Sequence, residues 1–147
     1  MIRKATREDI PVMVELAAGY LQHSSYAPLI YDKIKTHDFL EELLDENGFL
    51  VVSERNGQIV GGMVGDVITP WFSNDKIGVE YILYMHPDYR TGRDAYRLIR
   101  SWVEWCKYQG VKQIRPAISS GINRGERLYQ AMGFEAVGSN FLMNVSS

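Results

Sequence analysis

The chain is poor in the residues that would point to several large classes of protein. It has one cysteine, Cys106, so no internal disulfide can form, and the apolar stripe around that residue marks it as core packing rather than a nucleophile. No apolar run approaches the length that spans a bilayer, and the N-terminus lacks the charged-then-apolar pattern of a secretion signal. Neither sign of charge dominates: 16 basic against 18 acidic residues leave a net charge of −2, which removes the electrostatic case for a nucleic-acid partner. Nothing is repetitive or linker-like, and no metal site is expected. What remains is one ordinary cytoplasmic domain over residues 1–147, 46% hydrophobic and able to bury a full core.

Periodicity orders that domain. Ile2 to Ala5 is a short strand, after which Thr6 caps a helix through Ile10, Met13, Leu16 and Tyr20, with Pro11 tolerated in its first turn. A second helix spans Lys33 to Asp45 behind a Tyr-, His- and Ser-containing loop. Phe49 to Ser53 and Gln58 to Ile68 are strands joined by Asn56-Gly57, a strong hairpin signal. Gly61, Gly62 and Gly65 predict irregularity in the second of these. Ile77 to Met85 is the next strand. The stripe Ala95, Leu98, Ile99, Trp102, Val103, Cys106 then marks a helix. Val111 to Ile118 reads as strand and Asn123 to Met132 as a short helix. Phe134–Val137 and Phe141–Val145 read as a closing hairpin about Gly138-Ser139-Asn140. The class is α/β (α+β): a mixed, mostly antiparallel sheet of six to seven strands, covered by helices on both faces.

The stretch from Met85 to Ala95 carries the chemistry. A strand runs into a proline turn, then a Gly/Arg loop, then a helix start. First-turn N–H groups of a helix lack intrahelical partners, and the helix dipole favours an anion there. Arg90 and Arg93 flank that point with charge-assisted donors, although solvated surface charges would look the same. The arrangement reads as a pyrophosphate cradle made by Arg90, Thr91, Gly92, Arg93, Asp94 and Ala95.

Pro87-Asp88-Tyr89-Arg90 with its Gly-containing loop resembles the acyl-CoA-binding motif of the GNAT (GCN5-related N-acetyltransferase) superfamily. Asn123-Arg124-Gly125-Glu126-Arg127-Leu128-Tyr129-Gln130-Ala131-Met132-Gly133-Phe134 is similar to that family's later motif. The strand and helix order matches as well, so the resemblance covers nearly the whole chain. One departure is visible: Arg93 stands where the loop's main glycine belongs, and Gly92 comes one position early, a variant met in members that look phage-encoded.

The resemblance implies an acetyl-CoA-dependent N-acetyltransferase in which a primary amine attacks the thioester directly. Such an amine needs a base, because an ammonium has no lone pair, and the leaving thiolate needs an acid. Glu80, the only charged residue between Ile77 and Met85, is the base candidate; the bland alternative is a structural Glu paired with a nearby Lys or Arg. Tyr129 is the acid candidate, against simple packing between Leu128 and Met132. Asn123 caps its helix first and, by resemblance, lies near the pantetheine arm. Tyr84 and Met85 are expected to offer backbone groups to that arm if the strand splays from its neighbour, and His86 is a turn residue. Tyr20, His23, Tyr26, Tyr31, Trp71 and Phe72 either line an acceptor pocket or pack over the sheet. The acidic run of Asp38, Glu41, Glu42, Asp45 and Glu46 is a solvated helix face unless it attracts a cationic amine. The acceptor is a small-molecule or peptide amine, and a homodimer is a family expectation. Two rival readings stand beside the enzyme: a catalytically inactive CoA-binding module, and an interaction protein that has lost the cofactor through Arg93.

Overall fold

The computed structural model describes residues 1–90, 92–118 and 122–145, with the side chains of 122–124 left aside. Its elements are β1 (Ile2–Lys4), α1 (Ile10–Gln22), α2 (Lys33–Asp45), β2 (Phe49–Arg55), β3 (Gln58–Ile68), β4 (Ile77–Met85), α3 (Asp94–Tyr108), β5 (Gln113–Arg115) and α4 (Ile122–Ala131). The strands form one sheet in the order β1-β2-β3-β4-β5. All pairs are antiparallel except β4 with β5, whose parallel connection is carried by α3.

Each element has a local cause. Thr6 N–H donates to Asp9 Oδ2 at 2.7 Å, tying down the single 3-10 turn that leads into α1. Asp32 Oδ1 accepts from Lys35 N–H at 2.9 Å and so caps α2. Asn56 and Gly57 both take positive φ, 52° and 78°, the left-handed pair that a two-residue hairpin requires.

The uninterrupted run Phe49-Leu50-Val51-Val52 is apolar on both sides because both sides are covered. Leu50, Val52 and Val64 meet Ile10, Met13, Leu40 and Leu43 of α1 and α2. Phe49, Val51 and Met63 meet Leu98, Ile99, Trp102 and Cys106 of α3, with Tyr129 of α4. Each fully buried aliphatic side chain contributes about 1.5–3 kcal/mol. A Cβ on Gly65 would stand 2.5 Å from Trp102 Nε1, so only glycine lets that indole lie against the sheet. The fit leaves Trp102 Nε1 buried with no acceptor among the described residues.

Two bulges shape β3 and β4. Ser53 faces Gly61 whereas Glu54 faces Ile59, so Val60 is the extra residue in β3. Val64 faces Ile82 whereas Gly65 faces Glu80, so Tyr81 is the extra residue in β4. A bulge bends and twists its strand.

Two expectations are corrected. Among the described residues the sheet has five strands, not six to seven, because residues 134–145 find no partner strand there. Phe141 and Met143 there are 96% and 84% exposed. A strand pattern supplies side chains of the right kind, but a strand exists only where a neighbour takes its hydrogen bonds. The strand expected over Val111 to Ile118 shrinks to Gln113–Arg115, since Pro116 has no N–H to donate to the ladder.

Candidate active site

The end of β5 and the bulge in β4 together open the sheet. Pairing between the two strands runs from Ile77 with Gln113 to Val79 with Arg115 and stops there. Glu80 is the next residue of β4. Its Oε1 accepts from Ala117 N–H at 3.2 Å, so the carboxylate spans the start of the gap. Burial pushes this carboxyl up to about 7, the Ala117 N–H opposing only in part. Among the described residues no Lys or Arg forms an ion pair with it.

Tyr129 lies across from it. α4 buries the ring to 7% exposure against the α3-side core, edge-on to Phe134 with centroids 5.4 Å apart. Burial pushes the phenol far above its ordinary range, and the negative charge of Glu80 adds to that effect. Tyr20 reaches this point from α1 and packs edge-on to Tyr84, with centroids 6.1 Å apart. A half-ionised carboxyl and a fully protonated phenol therefore share one gap.

The main chain of β4 decides which backbone groups are open. His86 N–H donates to Val60 O at 2.7 Å. In an antiparallel pair such bonds recur at alternate residues, so Tyr84, opposite Gly62, also turns its N–H and C=O toward β3. This corrects the expectation for Tyr84: Leu83 and Met85 are the residues whose backbone faces the gap. Arg90 Nε already donates to Met85 O at 2.9 Å. Met85's side chain is buried in the core.

The loop beyond is a short turn, Pro87–Tyr89, capped by His86 Nδ1 accepting from Asp88 N–H at 3.2 Å. Asp94, the first residue of α3, turns its carboxylate inward and is 1% exposed. It accepts from Ser53 Oγ at 2.6 Å and Arg55 Nε at 3.1 Å, with Arg97 Nη1 at 3.3 Å. Burial alone would push this carboxyl up. The bonds from Ser53 and Arg55, together with Arg55's charge, outweigh that and hold it below the ordinary range. Asp94 thus has only its backbone N–H to give an anion. Gly92 has room: an added Cβ would meet nothing nearer than Tyr89 O at 3.6 Å, with Arg55 Nη2 at 3.9 Å. Thr91 and the side chain of Asn123 lie outside the described residues.

On the opposite face, α1, α2 and the sheet enclose an open cavity of about 160 Å³. Tyr31, Tyr81 and Tyr84 line it, together with aliphatic side chains. Glu80 does not, because it stands opposite Gly65 on the α3 side. Tyr20 packs edge-on to Tyr84, which lines this cavity. Trp71 and Phe72 are 96% and 72% exposed and stack on each other in a separate loop, away from this cavity. Tyr26 is exposed, and His23 sits at the end of α1. On α2, Glu41 and Asp45 are engaged by Arg7, which accounts for part of the acidic run as surface pairing.

A sheet opened beside a bulge, with an Arg-flanked helix start at its mouth, can be compared with known families. Residues 14–134 match the family model "Acetyltransferase (GNAT) family". The chain belongs to this family. Solved structures agree on the fold. A predicted acetyltransferase from Clostridium acetobutylicum, crystallised with acetyl-CoA, is 21% identical, with a TM-score of 0.82 over 98% of this chain and 95% of that one. Ribosomal-protein-alanine N-acetyltransferase from Brucella melitensis is 22% identical, with a TM-score of 0.78 over 94% and 86%. An aminoglycoside acetyltransferase from an uncultured soil metagenomic sample is 16% identical, with a TM-score of 0.73 over 99% and 96%. No curated protein sequence matches the chain.

Within this GNAT domain the structure brings Glu80 and Tyr129 to one gap and leaves the Arg93 position at the mouth of α3. Arg55 is the residue that sequence reasoning missed. It lies 38 positions before Arg93, beside a hairpin signal, and no local pattern marks it. Only the β2–α3 packing carries it to the loop.

Proposed function

We propose that the chain transfers an acetyl group from acetyl-CoA to a primary amine, with Glu80 as base and Tyr129 as acid. The observation that carries this reading is their convergence at the gap between β4 and β5, with Glu80's carboxyl raised to about 7. A base of that strength is half ionised at neutral pH, where it can take a proton and return it to solvent.

Acetyl-CoA, when bound, supplies an activated thioester. The residues that suit it are the outward backbone of Leu83 and Met85, the first-turn N–H groups of α3, Gly92 with its free space, and the cations Arg90, Arg93 and Arg55. Thr91, Ala95 and Asn123 complete the proposed set. Glu80 removes a proton from the ammonium so that nitrogen gains a lone pair for attack on the carbonyl carbon. Glu80 passes that first proton to solvent. As the C–S bond breaks it takes the nitrogen's second proton, while the Tyr129 O–H gives its proton to the leaving sulfur and is reprotonated from solvent. Direct transfer needs no enzyme nucleophile, in keeping with Cys106, which is fully buried and whose thiol burial pushes up to about 11.

The same proposal covers the finer points. Residues 1–147 act as one cytoplasmic domain, consistent with two cores sharing one sheet and with a lone buried thiol. No helix among the described residues is long and apolar enough to cross a membrane. A homodimer would give residues 134–145 the strand partner they lack among the described residues. The phage-type affiliation rests on the spacing of Gly92 and Arg93 alone.

The test is CoA release from acetyl-CoA across amine classes, with Glu80→Gln as control and thermal stabilisation by acetyl-CoA measured in parallel. Stabilisation without turnover would replace the enzyme reading with that of an inactive CoA-binding module. No stabilisation at millimolar ligand would leave the interaction-protein reading.

A further inference from the structure

The cavity between α1, α2 and the sheet has a composition of its own. Its volume of about 160 Å³ is close to the ~150 Å³ of an engineered apolar cavity that admits benzene. Met13, Leu16, Ala17, Leu40, Val64 and Ile82 supply aliphatic walls, and no charged side chain among the described residues lines it. Three of the polar side chains on its rim are already engaged. Tyr31 Oη donates to Val14 O at 2.7 Å, and Thr36 Oγ1 donates to Asp32 O at 2.9 Å. Tyr81 is hydrogen-bonded with Asp66. The ring of Tyr81 stands edge-on to Phe39 at 5.0 Å, so its face continues the apolar wall.

Protein interiors pack with few voids larger than a water molecule, so an open apolar hollow of this size suits a ligand group. Its position relative to the chemistry is set by β4: Tyr81 follows Glu80 directly, and Tyr84, which lines the cavity, packs edge-on to Tyr20.

Resting on the acetyl-transfer reading above, we propose that the acceptor is a primary amine carrying a phenyl-sized apolar group, and that this cavity holds the group while the nitrogen faces Glu80 through the gap. A polycation such as an aminoglycoside or a polyamine is disfavoured, because further ammonium groups would be desolvated against aliphatic walls with nothing to compensate them. The same chemistry can come from a free arylalkylamine or from a peptide N-terminus with an aromatic first residue.

Three acceptor arms test this in the CoA-release assay: 2-phenylethylamine, a Phe-initiated against a Gly-initiated tripeptide, and spermidine with kanamycin. Burial of the ring predicts kcat/KM for 2-phenylethylamine about ten- to a hundredfold above that for ethylamine. The Phe-initiated peptide exceeding the free amine would assign the peptide source, and the reverse would assign the small molecule. Ala17→Phe fills the cavity and should collapse the preference while acetyl-CoA still stabilises the variant; Ala17→Leu is the milder form should Ala17→Phe fail to fold. Equal or better use of spermidine or kanamycin overturns the proposal, as does a preference that survives a folded Ala17 variant. If no amine is acetylated, the catalytic reading fails separately. Indole titrated into the protein without acetyl-CoA then decides the cavity's role. A thermal shift abolished by the Ala17 variants supports an aryl site, and no shift overturns it.

Discussion

Replacing Glu80 with Gln separates a catalytic carboxylate from a structural one, because the two roles move stability in opposite directions. Burial raises the carboxyl from 4.5 in the unfolded chain to about 7 in the folded protein. The ionised form is therefore the costlier one when folded. The sign follows: below pH 4.5 the group is protonated in both states and costs nothing. Between pH 4.5 and 7 the unfolded chain ionises while the folded one resists, and above about 7 the full penalty is present. At roughly 1.4 kcal/mol per pH unit the penalty is about 3 kcal/mol, an upper figure since the side chain keeps some contact with water. Glutamine keeps an oxygen for Ala117 N–H and carries no charge. Glu80→Gln should thus match the parent in stability near pH 4.5 and exceed it by about 2–3 kcal/mol at pH 8, several degrees in Tm for a domain of this size. In the same variant, kcat/KM should fall by about 10²–10⁴. The parent's kcat/KM should rise about tenfold per pH unit up to about 7 and then level off. Thermal melts at pH 4.5 to 8.5 and a pH–rate profile read both. A variant less stable than the parent at pH 8, or a parent profile flat from pH 5.5 to 8, would refute the reasoning.

Tyr129→Phe should lower kcat while leaving the limb near pH 7 in place, because the phenol is held above its ordinary range and does not ionise there; loss of that limb on a pH–rate profile would contradict this. Arg55→Ala should weaken acetyl-CoA binding in a salt-dependent way, and should cost about 1–2 kcal/mol by withdrawing a partially exposed partner from buried Asp94. Titration calorimetry at two salt concentrations and a urea melt read the two effects. Gly65→Ala should destabilise by about 2 kcal/mol or more, since the new Cβ would meet Trp102 Nε1 and the rigid Val79 O at 2.5 and 2.9 Å; an unchanged urea midpoint would show that the indole moves aside freely.

Local rules read much of the molecule correctly, since they depend on neighbours along the chain. The α2 limits, Lys33 to Asp45, follow from a 3.6-residue stripe. The Asn56-Gly57 turn follows from the need for positive φ. The placing of Cys106 in the core follows from its place on the stripe of α3. The Tyr84 expectation failed for a different reason. Side-chain identity says nothing about which way a backbone carbonyl points, and that direction is set by register against β3.

The sequence by itself determined the element order as far as α4, the two apolar faces of the central strands, the Arg-flanked helix start and the GNAT resemblance, all of which are written in spacing. Tertiary structure alone decided that residues 134–145 find no strand partner among the described residues, and that Pro116 and the Tyr81 bulge open the sheet at Glu80. It also decided that Arg55 joins the α3 loop across 38 residues and that an apolar hollow lies beneath α1 and α2. These depend on contacts between distant segments, where pairing and packing act and sequence spacing carries no signal.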